Sequence, residues 1–245
     1  AAWALAVPIT DFTQQDPVEG GVPSEHTEIR LLLDQDALYI GGIFHDSDPS
    51  GIIGHQRRRN AGLGSDDRFM WILDTFLDGR TGYFFETNPA GLLGDGIILP
   101  GSGQSVNKSW DGIWEVRTRI HEWGWTAEIR IPFSTLNFDP ELDTWGINFQ
   151  RTIRRRNEEI VWRGWRRNQP LTRPVHAGRV TGITGVSQGR GLELRPFVTT
   201  SGDQVTQSGP GWDRRAKTGA DLTWSITPGL RAALSVNTDF AEVEV

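Results

Sequence analysis

Segments in which apolar and polar residues alternate at every second position dominate the first two thirds of the chain, which is the pattern of β-strands. In "EIRLLLD" the side chains of Ile29, Leu31 and Leu33 share one face. The segment "ALYIGGIFHD" follows after the turn residues 34–36. Together the two segments predict a β-hairpin.

A second hairpin is predicted between "RFMWILD" and "GYFFETN". The first segment is apolar on both faces, as expected for a central, fully buried strand. The connection contains Asp78-Gly79, so Gly79 is expected to form the turn, with Asp74 and Asp78 at the rim. Asn88-Pro89 is expected to end the second strand.

Two more segments, "WEVRTRIH" and "GWTAEIRIPF", predict a third hairpin, and "TWGINFQRTI" is predicted to be the last strand of this region. With 29 Gly, 13 Pro and few helical stripes, the chain is predicted to be all-β. The residues expected to face the core are Trp114, Val116, Thr118 and Ile120 in the first segment, Trp125, Ala127, Ile129 and Ile131 in the second, and Trp145, Ile147 and Phe149 in the third.

An arginine-rich segment follows between residues 151 and 173, with eight arginines against Glu158 and Glu159. Two interpretations are open: the arginines pair with acidic loops of the same domain, or they bind an anionic glycan or acidic lipid head groups. Pairing within the domain is the commoner arrangement, because unpaired arginines this close together would repel one another. The eight are Arg151, Arg154, Arg155, Arg156, Arg163, Arg166, Arg167 and Arg173.

The pattern changes after the glycine-rich stretch "GRVTGITGVSQGRG", which predicts a domain boundary near residue 187. In "GADLTWSITPGLRAALSVN" the strands are apolar on one face and mostly polar on the other. This pattern is typical of outer-membrane β-barrel strands, and a soluble sheet with one solvated face gives it equally well.

Composition narrows the function classes. A net charge of −6 over 245 residues argues against a general nucleic-acid binder, which is normally basic. The absence of cysteine excludes disulfides and cysteine-based metal or nucleophile sites. No run approaches the roughly 18 apolar residues of a membrane helix.

Ordered blocks of the sequence resemble a family of bacterial outer-membrane proteins of the DUF5916 type. The blocks are "DPVEGGVPSEHTEIRLLLDQDALYIGGIFHDSDP", "SDDRFMWILDTFLDGRTGYFFETNPAG", "WDGIWEVRTRIHEWGWTAEIRIPFSTL", "WGINFQRTIRRRNEEIVW" and "SVNTDFAEVEV". The resemblance implies a β-sandwich over residues 1–186, similar to family 9 carbohydrate-binding modules. It also implies that residues 187–245 are the first strands of a β-barrel. The chain is then expected to be a fragment of a protein in the cell outer membrane, its sandwich in the periplasm or at the cell surface.

Four acids are candidate calcium ligands: Asp46 and Asp48 after one strand, and Asp66 and Asp67 before another. Calcium takes six to eight oxygen ligands, often from carboxylates close in sequence, and family 9 modules often carry structural calcium. The alternative is that these acids cap turns by accepting hydrogen bonds from nearby backbone amides.

Exposed tryptophans are the candidate sugar platforms, because sugars stack their C–H faces on aromatic rings. Trp110, Trp123 and Trp165 lie in predicted loops or turns, and Arg80 and Asn88 could contact hydroxyl groups. Family 9 modules that bind sugar place one aromatic wall shortly before the strand matching "RFMWILD". Here that stretch, "GHQRRRNAGLGS", holds no aromatic residue.

The sequence contains neither the HExxH motif of metallohydrolases nor a P-loop, and its one GxSxG match, "GVSQG", lies in the glycine-rich stretch of a chain predicted to be all-β. We therefore expect a non-catalytic domain that binds a polysaccharide or oligosaccharide, with no nucleic-acid partner. One alternative is a structural domain that plugs the barrel or docks a partner. A second is a carbohydrate-active hydrolase, which would need a pair of suitably spaced carboxyl groups. A binder should show a concave face with a tryptophan platform, and a plug a broad, flat, charged face.

Overall fold

The computed structural model describes residues 2–101, 105–187, 192–205, 211–227 and 230–237. The chain divides into two compact units, Ala1–Ser187 and Gln188–Val245. The described residues form strands joined by turns and short 3-10 segments, so the prediction of an all-β fold is confirmed.

The described part of the first unit contains twelve strands. They are β1 (Thr13–Asp16), β2 (Thr27–Leu33), β3 (Ala37–His45), β4 (Arg68–Asp74), β5 (Gly82–Thr87), β6 (Gly94–Ile98), β7 (Val106–Asn107), β8 (Glu115–His121), β9 (Gly124–Pro132), β10 (Thr144–Ile153), β11 (Glu158–Val161) and β12 (Gly178–Thr181). Short 3-10 segments span Ala2–Leu5, Pro49–Gly51, Phe133–Thr135, Arg154–Arg156 and Pro174–His176.

The strands form two antiparallel sheets. The larger sheet has the order β1-β11-β10-β4-β5-β6-β7, and β12 pairs with the first part of β10. The smaller sheet has the order β2-β3-β9-β8. All three predicted hairpins are present as β2–β3, β4–β5 and β8–β9.

The core lies between the two sheets and is built from the alternate positions that the sequence pattern marks. The smaller sheet contributes residues such as Ile40, Phe44 and Trp125, and the larger sheet contributes Trp71 and Phe149. Phe44 stacks on Trp125 with ring centroids 4.1 Å apart, so aromatic contacts fill much of the space within this layer. This face-to-face packing makes the unit a β-sandwich.

Strand β4 is buried on both faces, as predicted. Its second face, with Met70 and Ile72, packs against Phe84 and against Leu171 from the loop that follows β11. The arginine-rich segment therefore contributes a loop that covers the outer side of the larger sheet.

Two details of the sequence interpretation are wrong. Strand β10 is not the last strand, because β11 and β12 pair with it along the edge opposite β4. Ile120 was expected to face the core, but the residue is 52% exposed. It lies near the end of β8, an edge strand with a neighbour on one side only, so less of the sandwich covers it.

The prediction that the arginine-rich segment forms ion pairs within its own domain is confirmed. Arg155 binds both Glu25 and Asp46, and Arg156 lies 3.2 Å from Glu25. Five of the eight arginines meet a carboxylate of the first unit: Arg151, Arg155, Arg156, Arg163 and Arg167.

The second unit contains a three-stranded antiparallel sheet, β13 (Leu192–Val205), β14 (Gly211–Thr227) and β15 (Leu230–Val236), with β14 in the centre. The register places Leu194, Leu222 and Leu234 side by side on one face. Much of that face is exposed. Leu194, for example, is 62% exposed. The two-faced pattern is therefore present, and the described strands form an open sheet.

None of the helices in the described part of the chain has the length and apolar character needed to cross a membrane.

Candidate functional site

The candidate site is the outer face of the smaller sheet, formed by the side chains of β2, β3, β9 and β8 that point away from the core. Alternation places Arg30, Tyr39, Glu128 and Arg117 on this face, opposite the buried positions of the same strands. We call it the outer face below.

The N-terminal segment lies on the outer face. The indole ring of Trp3 covers Gly41, and a Cβ atom added to Gly41 would lie 3.0 Å from that ring. Trp3 Nε1 donates a hydrogen bond to Glu128 Oε1 at 2.9 Å. Arg30 Nη1 donates to the carbonyl oxygens of Trp3 at 3.1 Å and Ala6 at 2.6 Å, which fixes the segment in place. The absence of a side chain at position 41 therefore permits the close approach of the ring.

Trp3 separates two concavities on the outer face. The first, which we call the Tyr39 concavity, has a volume of about 610 Å³ and is lined by Trp3, Tyr39, Glu115 and Arg130, among others. The second, the Trp123 concavity, has a volume of about 450 Å³ and lies between Trp3 and Trp123. Both volumes fall within the range of small-ligand sites.

Aromatic rings line the far end of the Trp123 concavity. Trp123 is 41% exposed and stacks on His121, with ring centroids 4.6 Å apart and an angle of 6° between the planes. The ring centroid of His45 also lies 5.0 Å from that of Trp123, with the two planes tilted by 39°. Burial, assisted by the nearby His26 and Arg151, lowers the pKa of His45, so its ring is neutral near pH 7.

Charged side chains lie on the same face as these rings. Arg30 pairs with Glu28 at 2.6 Å, and Arg130 pairs with Glu115 at 3.6 Å. Positively and negatively charged side chains that can form hydrogen bonds thus share this face with exposed aromatic rings. This combination orients a polar ligand that also has apolar faces.

Of the five sugar-binding residues predicted from the sequence, Trp123 alone lines these two concavities. Trp110 packs on Tyr83 and Phe85 at the edge of the core. Trp165 is 37% exposed and lies against Gly20, away from the outer face.

The two predicted polar residues are elsewhere too. Arg80 is exposed in the β4–β5 turn. Asn88 is fully buried, where its side chain donates to Asp66 and to the carbonyl oxygen of Gln56. The five candidates are therefore not brought together into one site.

Sequence reasoning missed Trp3, Tyr39 and His121. Trp3 precedes the first predicted strand, so the alternation of apolar and polar residues did not indicate which strand it would contact. A signal was present in Gly41-Gly42, because glycine inside a strand often marks a close approach of another group.

Each of the four predicted calcium ligands has a hydrogen-bond or ion-pair partner within the protein. Asp66 accepts hydrogen bonds from the backbone amides of His55 and Gln56, and Asp67 accepts from those of Ile53 and Arg154. Asp46 binds Arg155, and Asp48 binds Ser50 at 2.5 Å. No group of three or more acidic or histidine side chains able to hold a metal ion occurs among the residues the structure describes. The backbone amides that donate to Asp66 and Asp67 match the interpretation that these acids cap turns.

Asp66 gives a pH-dependent prediction. Burial raises the pKa of Asp66, but hydrogen bonds from Gln56, Asn88, His55 and Ser65 outweigh it, so the pKa is lowered from the 3.8 of an ordinary aspartate. A lowered pKa stabilises the folded protein above pH 3.8, and this contribution is lost as the pH falls through the lowered pKa. We expect Asp66→Asn to reduce the free energy of unfolding by about 1–3 kcal/mol at pH 7.

The difference between the two proteins should narrow below pH 3.8, as measured by urea denaturation at several pH values. The control is Asp36→Asn, at an exposed turn position, which should change stability by less than about 0.5 kcal/mol at any pH. A difference independent of pH would contradict the role of the Asp66 carboxylate.

Comparisons with known proteins show which solved structures have a similar fold. No family model matches the chain, and no curated protein matches it. A family 9 carbohydrate-binding module from Caldicellulosiruptor kristjanssonii in complex with cellotriose matches with a TM-score of 0.51 and 14% identity, over 74% of this chain and 84% of that one. A module of the same family and organism in complex with glucose matches with a TM-score of 0.52 and 15% identity, over 76% and 86%.

A third solved structure, a putative carbohydrate-binding protein from Bacteroides uniformis, matches with a TM-score of 0.54 and 14% identity. It covers 70% of this chain and 86% of that one. At these identities the likeness concerns the fold. The chain therefore contains a β-sandwich of the kind found in family 9 carbohydrate-binding modules.

Proposed function

We propose that the first unit is a non-catalytic module that binds polysaccharides or oligosaccharides on its outer face, around Trp3 and Trp123. The observation that carries the proposal is the pair of concavities on either side of Trp3, bordered by aromatic rings and by charged hydrogen-bonding groups. A sugar ring has apolar C–H faces and polar edges, and this surface offers a partner for each.

The fold supports the same function, because the solved modules with this fold include one in complex with cellotriose and one in complex with glucose. The outer face is concave rather than flat, which favours a binding module over a structural plug.

A non-catalytic role is favoured by the positions of the acids. A glycosidase needs a general acid with a raised pKa beside the scissile bond. Among the described residues, burial raises the pKa of Asp67 and of Asp74, and both accept hydrogen bonds from backbone amides outside the two concavities.

The proposed site can be tested with Trp123→Ala. Loss of the exposed ring should weaken binding of an oligosaccharide found on a glycan array by about tenfold or more, since truncation of a tryptophan that anchors a binding surface commonly costs about 2 kcal/mol or more. Titration calorimetry of the full chain would measure the change.

Trp165→Ala is the matched control, because Trp165 has nearly the same exposure but lies away from the outer face. Its affinity should equal that of the unmodified protein. Loss of binding in Trp165→Ala with retention in Trp123→Ala would move the site to the Trp165 loop. Absence of binding to every glycan on the array would contradict carbohydrate binding itself.

For the second unit, the proposal is that residues 187–245 open an outer-membrane β-barrel of the DUF5916 type, with the sandwich in the periplasm or at the cell surface. Its support is the row of exposed apolar side chains on one face of β13, β14 and β15. Such a face suits contact with lipid, and further strands would pair with the open edges of the sheet.

A further inference from the structure

The two concavities differ in charge, and the difference bears on which sugars bind. The Trp123 concavity is lined by Arg30, Arg117 and Arg119 against the single acid Glu128. The whole chain carries a net charge of −6, so this is a local concentration of positive charge on an acidic protein.

Arg117 and Arg119 are the two arginines available to a ligand. They occupy alternate positions of β8, so both side chains point to the outer face, and both are exposed. Neither forms an ion pair with a residue in the described part of the chain. Arg30, by contrast, is held by Glu28 and by the N-terminal segment.

The acid of the same concavity, Glu128, forms no ion pair with either arginine. Glu128 lies opposite Arg117 in the β8–β9 ladder, but its carboxylate accepts the hydrogen bond of the Trp3 indole. Arg119 lies opposite Thr126, which carries no charge. Two guanidinium groups without an ion pair among the described residues therefore line the same concavity as the stacked rings of His121 and Trp123.

A planar carboxylate fits this arrangement. A guanidinium group binds a carboxylate through two parallel hydrogen bonds, and an adjacent aromatic ring can hold the apolar face of the same sugar. We infer that the Trp123 concavity binds a glycan whose sugar units carry carboxylate groups, that is, a polymer or oligomer of uronic acids. This inference depends on the proposed function of the outer face and specifies its ligand class.

The experiment compares two forms of one polymer. Oligogalacturonate and its fully methyl-esterified form share the same sugar backbone and differ in charge. Titration calorimetry of the full chain at low salt should show about tenfold or greater preference for the charged form, because charge-assisted hydrogen bonds are the stronger kind. The double variant Arg117→Ala/Arg119→Ala should lose this preference and bind both forms equally.

Arg179→Ala is the matched control. Arg179 is also exposed, and it lies on β12, a strand of the larger sheet whose one described neighbour is β10. Its preference for the charged form should be unchanged. An equal loss in Arg179→Ala would show a general charge effect and overturn the inference. A sulfated galactan that binds as tightly as oligogalacturonate would overturn the selectivity for carboxylate.

The outcomes also separate this inference from the proposed function. If neutral cellotriose and oligogalacturonate bind equally, and Trp123→Ala weakens both, the outer face binds sugars but the inference of an acidic ligand is wrong. If neither neutral nor charged glycans bind, the proposed function fails, and the inference fails with it.

Discussion

Arg151→Met is expected to reduce the free energy of unfolding by about 3–5 kcal/mol, the range measured when one partner of a buried ion pair is removed. Arg151 belongs to β10 in the larger sheet and is 1% exposed. Its guanidinium group donates to Thr27 Oγ1 at 3.0 Å and to the carbonyl oxygens of His26 at 3.2 Å and His45 at 2.7 Å, all at the smaller sheet. The group lies 4.0 Å from Asp46 and above the ring of Phe44.

Burial lowers the pKa of Arg151 to about 10, so the group stays charged at pH 7. Methionine fills a similar volume over Phe44 but supplies no donor, which leaves the carbonyl oxygens of both histidines without this partner. Urea denaturation would measure the loss. Arg179→Met, at an exposed position, should change stability by less than about 0.5 kcal/mol. Equal effects of the two substitutions would show that Arg151 does not join the sheets.

A chain ending at Ser187 is expected to fold with unchanged stability and to lose association with lipid vesicles. The residues that form the core between the two sheets lie at or before Val186, so the truncation removes none of them. It removes the exposed apolar face of β13, β14 and β15, the surface proposed to face lipid.

Vesicle flotation and circular dichroism of the full and truncated chains would test this expectation. If the truncated chain is unfolded, residues after 187 contribute to the sandwich and the proposed division of roles is wrong. If both chains float with vesicles to the same extent, the proposed lipid contact of the second unit is wrong.

Local pattern predicted much of the sandwich. The β4–β5 hairpin follows from alternation and from the turn at Gly79, which adopts the left-handed conformation with φ of +66°. The sequence pattern did not predict strands β11 and β12, and the cause is also local. Both are four residues long, and the arginines and glycines around them obscure the period of two.

The candidate site was less accessible to sequence reasoning, because it is formed by contacts between distant residues. Trp3 meets Gly41 and Glu128, so the platform depends on how the chain returns across the sheet. Trp110 and Trp123 both follow turn residues in the sequence, yet one packs at the core and the other is exposed on the outer face. Burial of a loop tryptophan depends on the neighbouring strands, which the sequence pattern does not specify.

The ion pairs of the arginine-rich segment affect how quickly an acidic ligand would reach the protein. Paired charges such as Arg155 with Asp46 and Arg163 with Asp11 largely cancel each other at distances well beyond their separation, and salt screens exposed charges further beyond about 8 Å. The five paired arginines of this segment thus exert little long-range attraction. Arg117 and Arg119 form no ion pair with the described residues, so their charge would speed the encounter of an anionic ligand with the Trp123 concavity, and this gain would fall as salt rises.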